Sequence, residues 1–321
     1  MRAIYIHQFG GPEVLRMEEI PSLTVGPGQI LIRIKAVGVN PVDTYIREGL
    51  YHLPIQFPFT CGFDAAGIIE DLGSDVRGWS IGDRVFMGGS LSGAYAEQAL
   101  CRADQILSLP DHISFAQGAA VGIPYAAAYR ALFAKARLAP GETLLIHGAS
   151  GGVGCAALQF ARKAQAVIFA TAGSPAGREL VKNQGAARVF DHTDPQHIEA
   201  IRAATKGRGV NVILEMLANV NLAKDLETLV ALSGRIIVIG SRGRVEIDPR
   251  HMMMRDALVM GMLMMNMPDD ERATTYASIV DGLRRRELEP VVGKKFPLAE
   301  ARQAHEAVRQ LGACGKIVLI P

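Results

Sequence analysis

Along the first hundred residues, apolar and polar positions alternate in short runs closed by Gly, Pro or Asp: "QILIRIKAVGV", "AAGIIEDLG", "GDRVFMGG" and "GAYAEQALC". In "ILIRIKA", Ile30, Ile32 and Ile34 share one face while Arg33 and Lys35 share the other, the period-two pattern of a half-exposed strand. This part reads as a β-rich unit. The pattern breaks over residues 115–138, "FAQGAAVGIPYAAAYRALFAKARL", an Ala-rich helical stretch interrupted at Gly122 and Pro124. A domain boundary is expected there.

From Glu142 onward the apolar runs are shorter and closed at both ends: "TLLIHG", "AVIFATAG", "ARVFDH", "NVILEML", "GRIIVIG" and "LVMGMLMM". Helix-length segments such as "GCAALQFARKA" and "DPQHIEAIRAAT" lie between them. Apolar strands joined by helical crossovers predict a parallel sheet covered on both faces, and six of them match a doubly wound, Rossmann-type dinucleotide domain. The most apolar run, "ALVMGMLMM" at 257–265, is about half the length of a bilayer crossing and reads as a buried strand. After Pro268, two helical stretches precede a last strand, "KIVLIP". About 50 residues make a poor independent core, so this segment is expected to return to the first domain. The expected division is 1–122 for the β-rich domain, 123–265 for the Rossmann-type domain and 266–321 for the return.

Charge narrows the partners. With 34 basic and 32 acidic side chains in 321 residues, the net charge is +2, which gives no broad field to draw nucleic acid or a membrane surface. The cysteines Cys61, Cys101, Cys155 and Cys314 form no CxxC pair and no cluster at metal spacing, the usage of a reducing compartment. "MRAIYIHQFG" has strand-like alternation and no long apolar leader. The expected location is the cytoplasm.

The candidate chemistry begins at "TLLIHGASGGVGCAALQFA", a strand, then Ala149-Ser150-Gly151-Gly152-Val153-Gly154, then a helix. Gly151 lets the backbone approach a pyrophosphate, Gly154 lets helix and strand pack closely, and the helix N-terminus offers amides and partial positive charge. Dinucleotide sites usually place Asp or Glu about 20 residues past the glycines, to hold a ribose 2′-hydroxyl. Here that place holds Ala172-Gly173-Ser174. A carboxylate there would repel a 2′-phosphate, so its absence points to NADPH, with Ser174, Arg178 and the first turn of the next helix as the new grip. The alternative for Arg178 is a solvated helix residue.

The segments "FGGPEVL", "GVNPVDTYIREGLY", "GDRVF", "GIPYAAAYRAL", "HGASGGVG", "EMLANVNLAKDLETL" and "VIGSRG" carry a resemblance that runs from residue 1 to 321. The chain resembles the zeta-crystallin-like quinone oxidoreductases, the zinc-free branch of the medium-chain dehydrogenase/reductase superfamily. The resemblance implies a GroES-like, β-rich catalytic domain beside a Rossmann-type domain, an active site between them, NADPH as cofactor and a quinone as substrate. It implies Tyr45 at the nicotinamide end and Ser150, Gly151, Gly152 and Val153 at the pyrophosphate. Gly173, Ser174 and His192 then surround the adenosine phosphate, and Asn221, Ile239, Gly240, Ser241 and Arg242 line the rest of the groove. Ile239, Gly240 and Ser241 end a buried strand, and His192 follows another, which is where open parallel sheets collect ligands. By residue type alone, His192 and Arg242 are as well read as surface residues. Lys316 is a further, weaker candidate for the pyrophosphate.

Where related alcohol dehydrogenases carry zinc ligands, this chain has Asn40, Phe63, Asp64 and apolar residues around Ile123, and the cysteine-rich lobe is missing. No metal is expected. Without a Lewis acid, alcohol oxidation is difficult, whereas a quinone accepts electrons with little more than positioning. Asn40, Asp43, Tyr45 and Tyr51 are the candidates for the reacting end, although Asp43 also suits a helix cap and Tyr51 also suits packing against "FPF". Reduction of activated carbon–carbon double bonds fits the same residues. A structural or RNA-binding role is the non-enzymatic alternative, for which six per cent aromatics and "GLRRRE" offer little. The apolar edge of the last Rossmann strand is expected to pair two copies into a homodimer.

Overall fold

The computed structural model describes residues 1–51, 53–312 and 314–321. Two compact units emerge, one formed by Met1–Ile123 with Val280–Pro321 and the other by Pro124–Ile279. In the first, β1 (Arg2–Ile6), β2 (Arg16–Glu19), β3 (Gln29–Val39), α1 (Pro41–Arg47), β4 (Phe59–Thr60), β5 (Asp64–Leu72), β6 (Arg84–Gly88), β7 (Gln98–Arg102), β8 (Ile106–Ser108) and α2 (Phe115–Gly118) follow in order. The helix α3 (Gly122–Tyr129) leads into the second unit: β9 (Thr143–Ile146), α4 (Gly152–Lys163), β10 (Val167–Thr171), α5 (Pro175–Asn183), β11 (Arg188–Phe190), α6 (His197–Ala204), β12 (Val210–Glu215), α7 (Ala218–Lys224), β13 (Val230–Val238), α8 (Pro249–Met253) and β14 (Leu258–Gly261). Then come α9 (Asp269–Arg284), β15 (Val292–Pro297), α10 (Ala301–Arg309) and β16 (Lys316–Ile320).

Alternation makes the first unit. β1 pairs with β2 and β4, and a seven-stranded sheet runs β15-β16-β3-β5-β6-β8 with β7 also on β3. Ile30, Ile32 and Ile34 face a core that also takes Leu298, Ala301, Ala304, Ile317 and Leu319 from the C-terminal segment. β16 lies antiparallel to β3, so the returning chain fills the sheet and its core together. The return comes at Val280 rather than at 266, because α9 straddles the change of unit. The expected break in the helical stretch falls at residues 119–121, between α2 and α3, and Gly122 begins the second helix with Pro124 in its first turn, where its missing N–H costs nothing.

The second unit is a six-stranded, wholly parallel sheet in the order β11-β10-β9-β12-β13-β14. Counted from β9, this is 3-2-1-4-5-6, the doubly wound order whose reversal lies between β9 and β12. The buried strand expected at 257–265 is corrected: only Leu258–Gly261 is extended, it is the edge strand, and Leu258 is 55% exposed. An edge strand has a neighbour on one side only, so apolar composition alone did not bury it. No helix among the described residues is long and apolar enough to cross a membrane.

Candidate functional site

In the second unit, the loop after β9 turns sharply at Gly148, whose φ of +59° suits glycine. Ala149, in place of the usual first glycine, needs no such conformation and is fully buried. The two later glycines differ in kind. A Cβ on Gly154 would lie 2.5 Å from the Ala149 backbone, so helix–strand packing itself requires glycine there. A Cβ on Gly151 would meet only the Gly148 carbonyl at 3.6 Å, so the chain leaves open space beside the α4 N-terminus, the place for an anion. Ser150 is buried, and Gly152 and Val153 open the helix.

The loop after β10 lies alongside. Ser174 is the N-cap of α5, its Oγ accepting the Gly177 amide at 3.1 Å, and a Cβ on Gly177 would sit 3.1 Å from the Ser150 hydroxyl. Thus Ser150, Gly173, Ser174 and the first turn of α5 converge. His192 packs over Gly173, where a Cβ would meet its Nε2 at 2.5 Å. Burial holds His192 below the usual imidazole range, against the pull of Asp191. Arg178 is not simply solvated: its Nη1 donates to Asp191 Oδ2 at 2.5 Å and to the Gly173 carbonyl at 3.1 Å. Asp191, absent from the sequence-based candidates, is kept ionised by the Thr193 hydroxyl and amide and by Arg178.

At the sheet's reversal stands a cluster that the sequence did not single out. His147 directly follows β9, Glu215 ends β12, and Asp225 lies in a π-helical turn, Asp225–Leu229, that follows α7. All three are buried, and one ligand atom from each falls within 4.8 Å of the others. His147 Nε2 is 2.9 Å from Asp225 Oδ1 and 3.7 Å from Glu215 Oε2, while Glu215 Oε2 and Asp225 Oδ2 meet no donor. Burial pulls the imidazole pKa down, but the Asp225 and Glu215 carboxylates more than reverse this and carry it up to about 9. Burial and the Asp225 charge raise Glu215 to about 7. Two buried carboxylates around one imidazole crowd negative charge into the core, and the raised Glu215 carboxyl is the member on which a proton relieves that charge.

Glu215 also anchors the groove. Its Oε1 accepts from the Leu217 amide at 2.5 Å and from Asn221 Nδ2 at 3.2 Å, and its carbonyl accepts from Ile239 at 2.9 Å and Gly240 at 3.3 Å. Asn219 Oδ1 in turn takes the Arg242 amide at 2.8 Å, and Ser241 donates to the Gly243 carbonyl at 3.0 Å. Asn221 is therefore tied to the Glu215 carboxylate, and Ile239 and Gly240 to its backbone carbonyl. The available signal was a carboxylate closing a buried apolar run, "NVILE", at a strand's carboxyl end.

In the first unit, Asn40 and Asp43 are buried rather than open to solvent. Asp43 Oδ2 accepts the Asn40 amide at 2.8 Å as a cap of α1, and the Tyr95 hydroxyl at 3.1 Å. Burial raises Asp43 to about 7, the Asn40 amide and Lys316 opposing. His305 Nε2 stands 2.9 Å from the Tyr95 oxygen and its Nδ1 3.1 Å from Arg47 Nη1. Since Arg47 only donates, Nδ1 accepts, Nε2 carries the proton and Tyr95 donates to Asp43. Burial, with Arg47 beside it, lowers His305 to about 3. Lys316 Nζ is buried 3.0 Å from Asp64 Oδ2 and also bonds Asn40 Oδ1, so the structure gives this ammonium an internal partner in place of the expected phosphate. Tyr45 and Tyr51 are half-buried, their rings parallel at 6.4 Å, with Arg309 over Tyr45 at 5.8 Å.

Residues 26–111 match the alcohol dehydrogenase GroES-like domain, and residues 152–280 match the family described as zinc-binding dehydrogenase. A human quinone oxidoreductase is 42% identical over 322 residues, covering 100% of this chain and 98% of its own. The crystal structure of Escherichia coli quinone oxidoreductase complexed with NADPH aligns over 100% of both chains with a TM-score of 0.90 and 29% identity. An NAD-dependent alcohol dehydrogenase also aligns over 100% of both chains, with a TM-score of 0.92 and 26% identity. The Rossmann-type sheet bears a nicotinamide-cofactor fold, and the chain belongs to the quinone oxidoreductases of the medium-chain dehydrogenase/reductase superfamily.

Proposed function

We propose that this oxidoreductase reduces quinones with NADPH and without zinc. The observation that carries the cofactor reading is the end of β10, where Ala172, Gly173 and Ser174 offer no carboxylate while Arg178 and His192 border the same turn. The quinone reading rests on the family. NADPH supplies the hydride when bound. The open space beside Gly151 and the first turn of α4 receive the pyrophosphate, and Ser174, Arg178 and His192 receive the adenosine phosphate. Glu215 holds Asn221, Ile239 and Gly240 in place for the nicotinamide half. Tyr45 and Tyr51 are the side chains for positioning the cofactor and quinone.

The zinc-free reading is supported by what occupies the candidate ligands. Phe63 cannot coordinate a metal, and Asp64 and Asn40 already hold the Lys316 ammonium, an internal cation. Burial raises the neighbouring Cys61 thiol far from ionisation. We further propose a cytoplasmic homodimer paired through β14, where Leu258, Met253 and Met254 leave an apolar surface exposed.

Steady-state oxidation of NADPH with a panel of quinones tests the activity. Quinone-dependent turnover by protein free of zinc is the expected result. Turnover with enones but not quinones, or turnover that requires added zinc, would overturn it.

A further inference from the structure

The missing acid has a neighbour. Asp191 stands at the end of β11, the strand hydrogen-bonded to β10, and Ala172 donates its amide to the Phe190 carbonyl at 3.1 Å between the two strand ends. The Asp191 carboxylate therefore reaches the same turn from the adjacent strand. It faces Arg178, whose Nη1 bridges Asp191 Oδ2 and the Gly173 carbonyl, and both side chains are about 30% exposed, within reach of a ligand. Its other oxygen is committed to the Thr193 amide at 2.9 Å and hydroxyl at 2.7 Å, which fixes the carboxylate's direction.

Resting on the cofactor reading above, we propose that Asp191 is the specificity-determining residue that sets this enzyme's balance between NADPH and NADH. The ion pair works twice against a 2′-phosphate. It occupies the arginine that would grip the phosphate, and it places a negative charge beside the incoming one. Towards a ribose 2′-hydroxyl the same carboxylate is an acceptor, the role usually taken by an acid on β10 itself. The chain thus carries the phosphate grip and its restraint side by side, and the pair must open for a 2′-phosphate to bind.

The test uses Asp191→Asn, which keeps an oxygen for Thr193 and removes the charge together with the acceptor that holds Arg178. Calorimetric titration of the full-length protein with 2′,5′-ADP and with 5′-AMP reads the 2′-phosphate separately from hydride transfer. Removing the restraint should tighten 2′,5′-ADP about tenfold, a change of ~1.4 kcal/mol, and leave 5′-AMP unchanged or weaker. NADPH and NADH Michaelis constants should move in the same opposite senses. Arg178→Ala should weaken 2′,5′-ADP and abolish the effect of Asp191→Asn when the two are combined. Equal change for both nucleotides in Asp191→Asn, or no change, would overturn the proposal while leaving the NADPH reading intact. Wild-type protein that binds 5′-AMP and NADH but neither 2′,5′-ADP nor NADPH would overturn the NADPH reading, and the proposal with it.

Discussion

The buried polar groups of the two units are built on opposite principles. In the first unit, the network around α1 matches its charges inside the chain: Lys316 meets Asp64 and Asn40, and Arg47 meets His305 and Glu48, while Asp43 Oδ1, Arg84 Nε and Ser90 Oγ lack hydrogen-bond partners among the described residues. In the second, one imidazole serves two carboxylates, and each carboxylate keeps a bare oxygen. The first arrangement is closed around its cations, whose donors find acceptors inside the chain. The second is open, since one imidazole stands against two carboxylates that each keep a bare oxygen, and it stands at the sheet's reversal where ligands of this fold collect. A scaffold needs the first kind; a responsive site tolerates the second.

The largest expected effect comes from opening the closed network. Lys316→Ala leaves the Asp64 carboxylate buried without its cation, and breaking one side of a buried pair costs about 3–5 kcal/mol. Urea unfolding should show that loss, and Lys316→Met combined with Asp64→Asn, which removes both charges and keeps an acceptor for the Ile123 amide, should restore part of it. If Lys316→Ala costs less than about 1 kcal/mol, the pair behaves as a solvated one and the contrast between the units fails.

Glu215→Ala should cost less in stability but more in function. It orphans the Leu217 amide and releases Asn221, about 1–3 kcal/mol for a buried group left unpaired. Because Asn221 loses its carboxylate anchor, while Ile239 and Gly240 keep the backbone carbonyl, the KM for the nicotinamide cofactor should rise by about tenfold while kcat changes less. Glu215→Gln retains an acceptor for the Leu217 amide and should recover part of the affinity. A loss of stability with unchanged cofactor KM would make Glu215 scaffold alone.

The sequence made the architecture legible because period-two alternation and closed apolar runs are local. Six such runs became a six-stranded parallel sheet, and Gly154 revealed its packing role through spacing alone. Leu258 misled because apolar composition does not say whether a strand has one neighbour or two. Pairings across long separations were not legible. Asp64 with Lys316, Tyr95 with His305, and His147 with Asp225 are each brought together only by the fold. Asp191 shows the finer limit. The absence of an acid at Ala172 and Gly173 was visible, but its supply from the next strand required the pairing of β10 with β11.

The smallest effect, and the sharpest contrast, lies in the pH dependence of stability. Asp43 is raised from 3.8 to about 7, so its contribution is present below pH 3.8 and lost as pH rises to about 7. His305 is lowered from 6.5 to about 3, so its contribution is present above pH 6.5 and lost as pH falls to about 3. These two slopes oppose each other over most of one window, and the first unit should be nearly level between about pH 4 and 6.5. In the second unit both shifts run the same way. Glu215 is raised from 4.5 to about 7 and His147 from 6.5 to about 9, so the folded state holds more protons than the unfolded chain from pH 4.5 to about 9. The contribution of this pair should fall as pH rises, and above about pH 6.5 the lowered His192 no longer opposes it. Urea unfolding from pH 4 to 9 checks the difference through two variants. His147→Gln should remove the decline between pH 6.5 and 9, and Asp43→Asn should unmask a rise between pH 4 and 6.5. A decline above pH 7 that survives His147→Gln would show that the imidazole is not the proton-holding member, and the second unit's cluster would then be as closed as the first's.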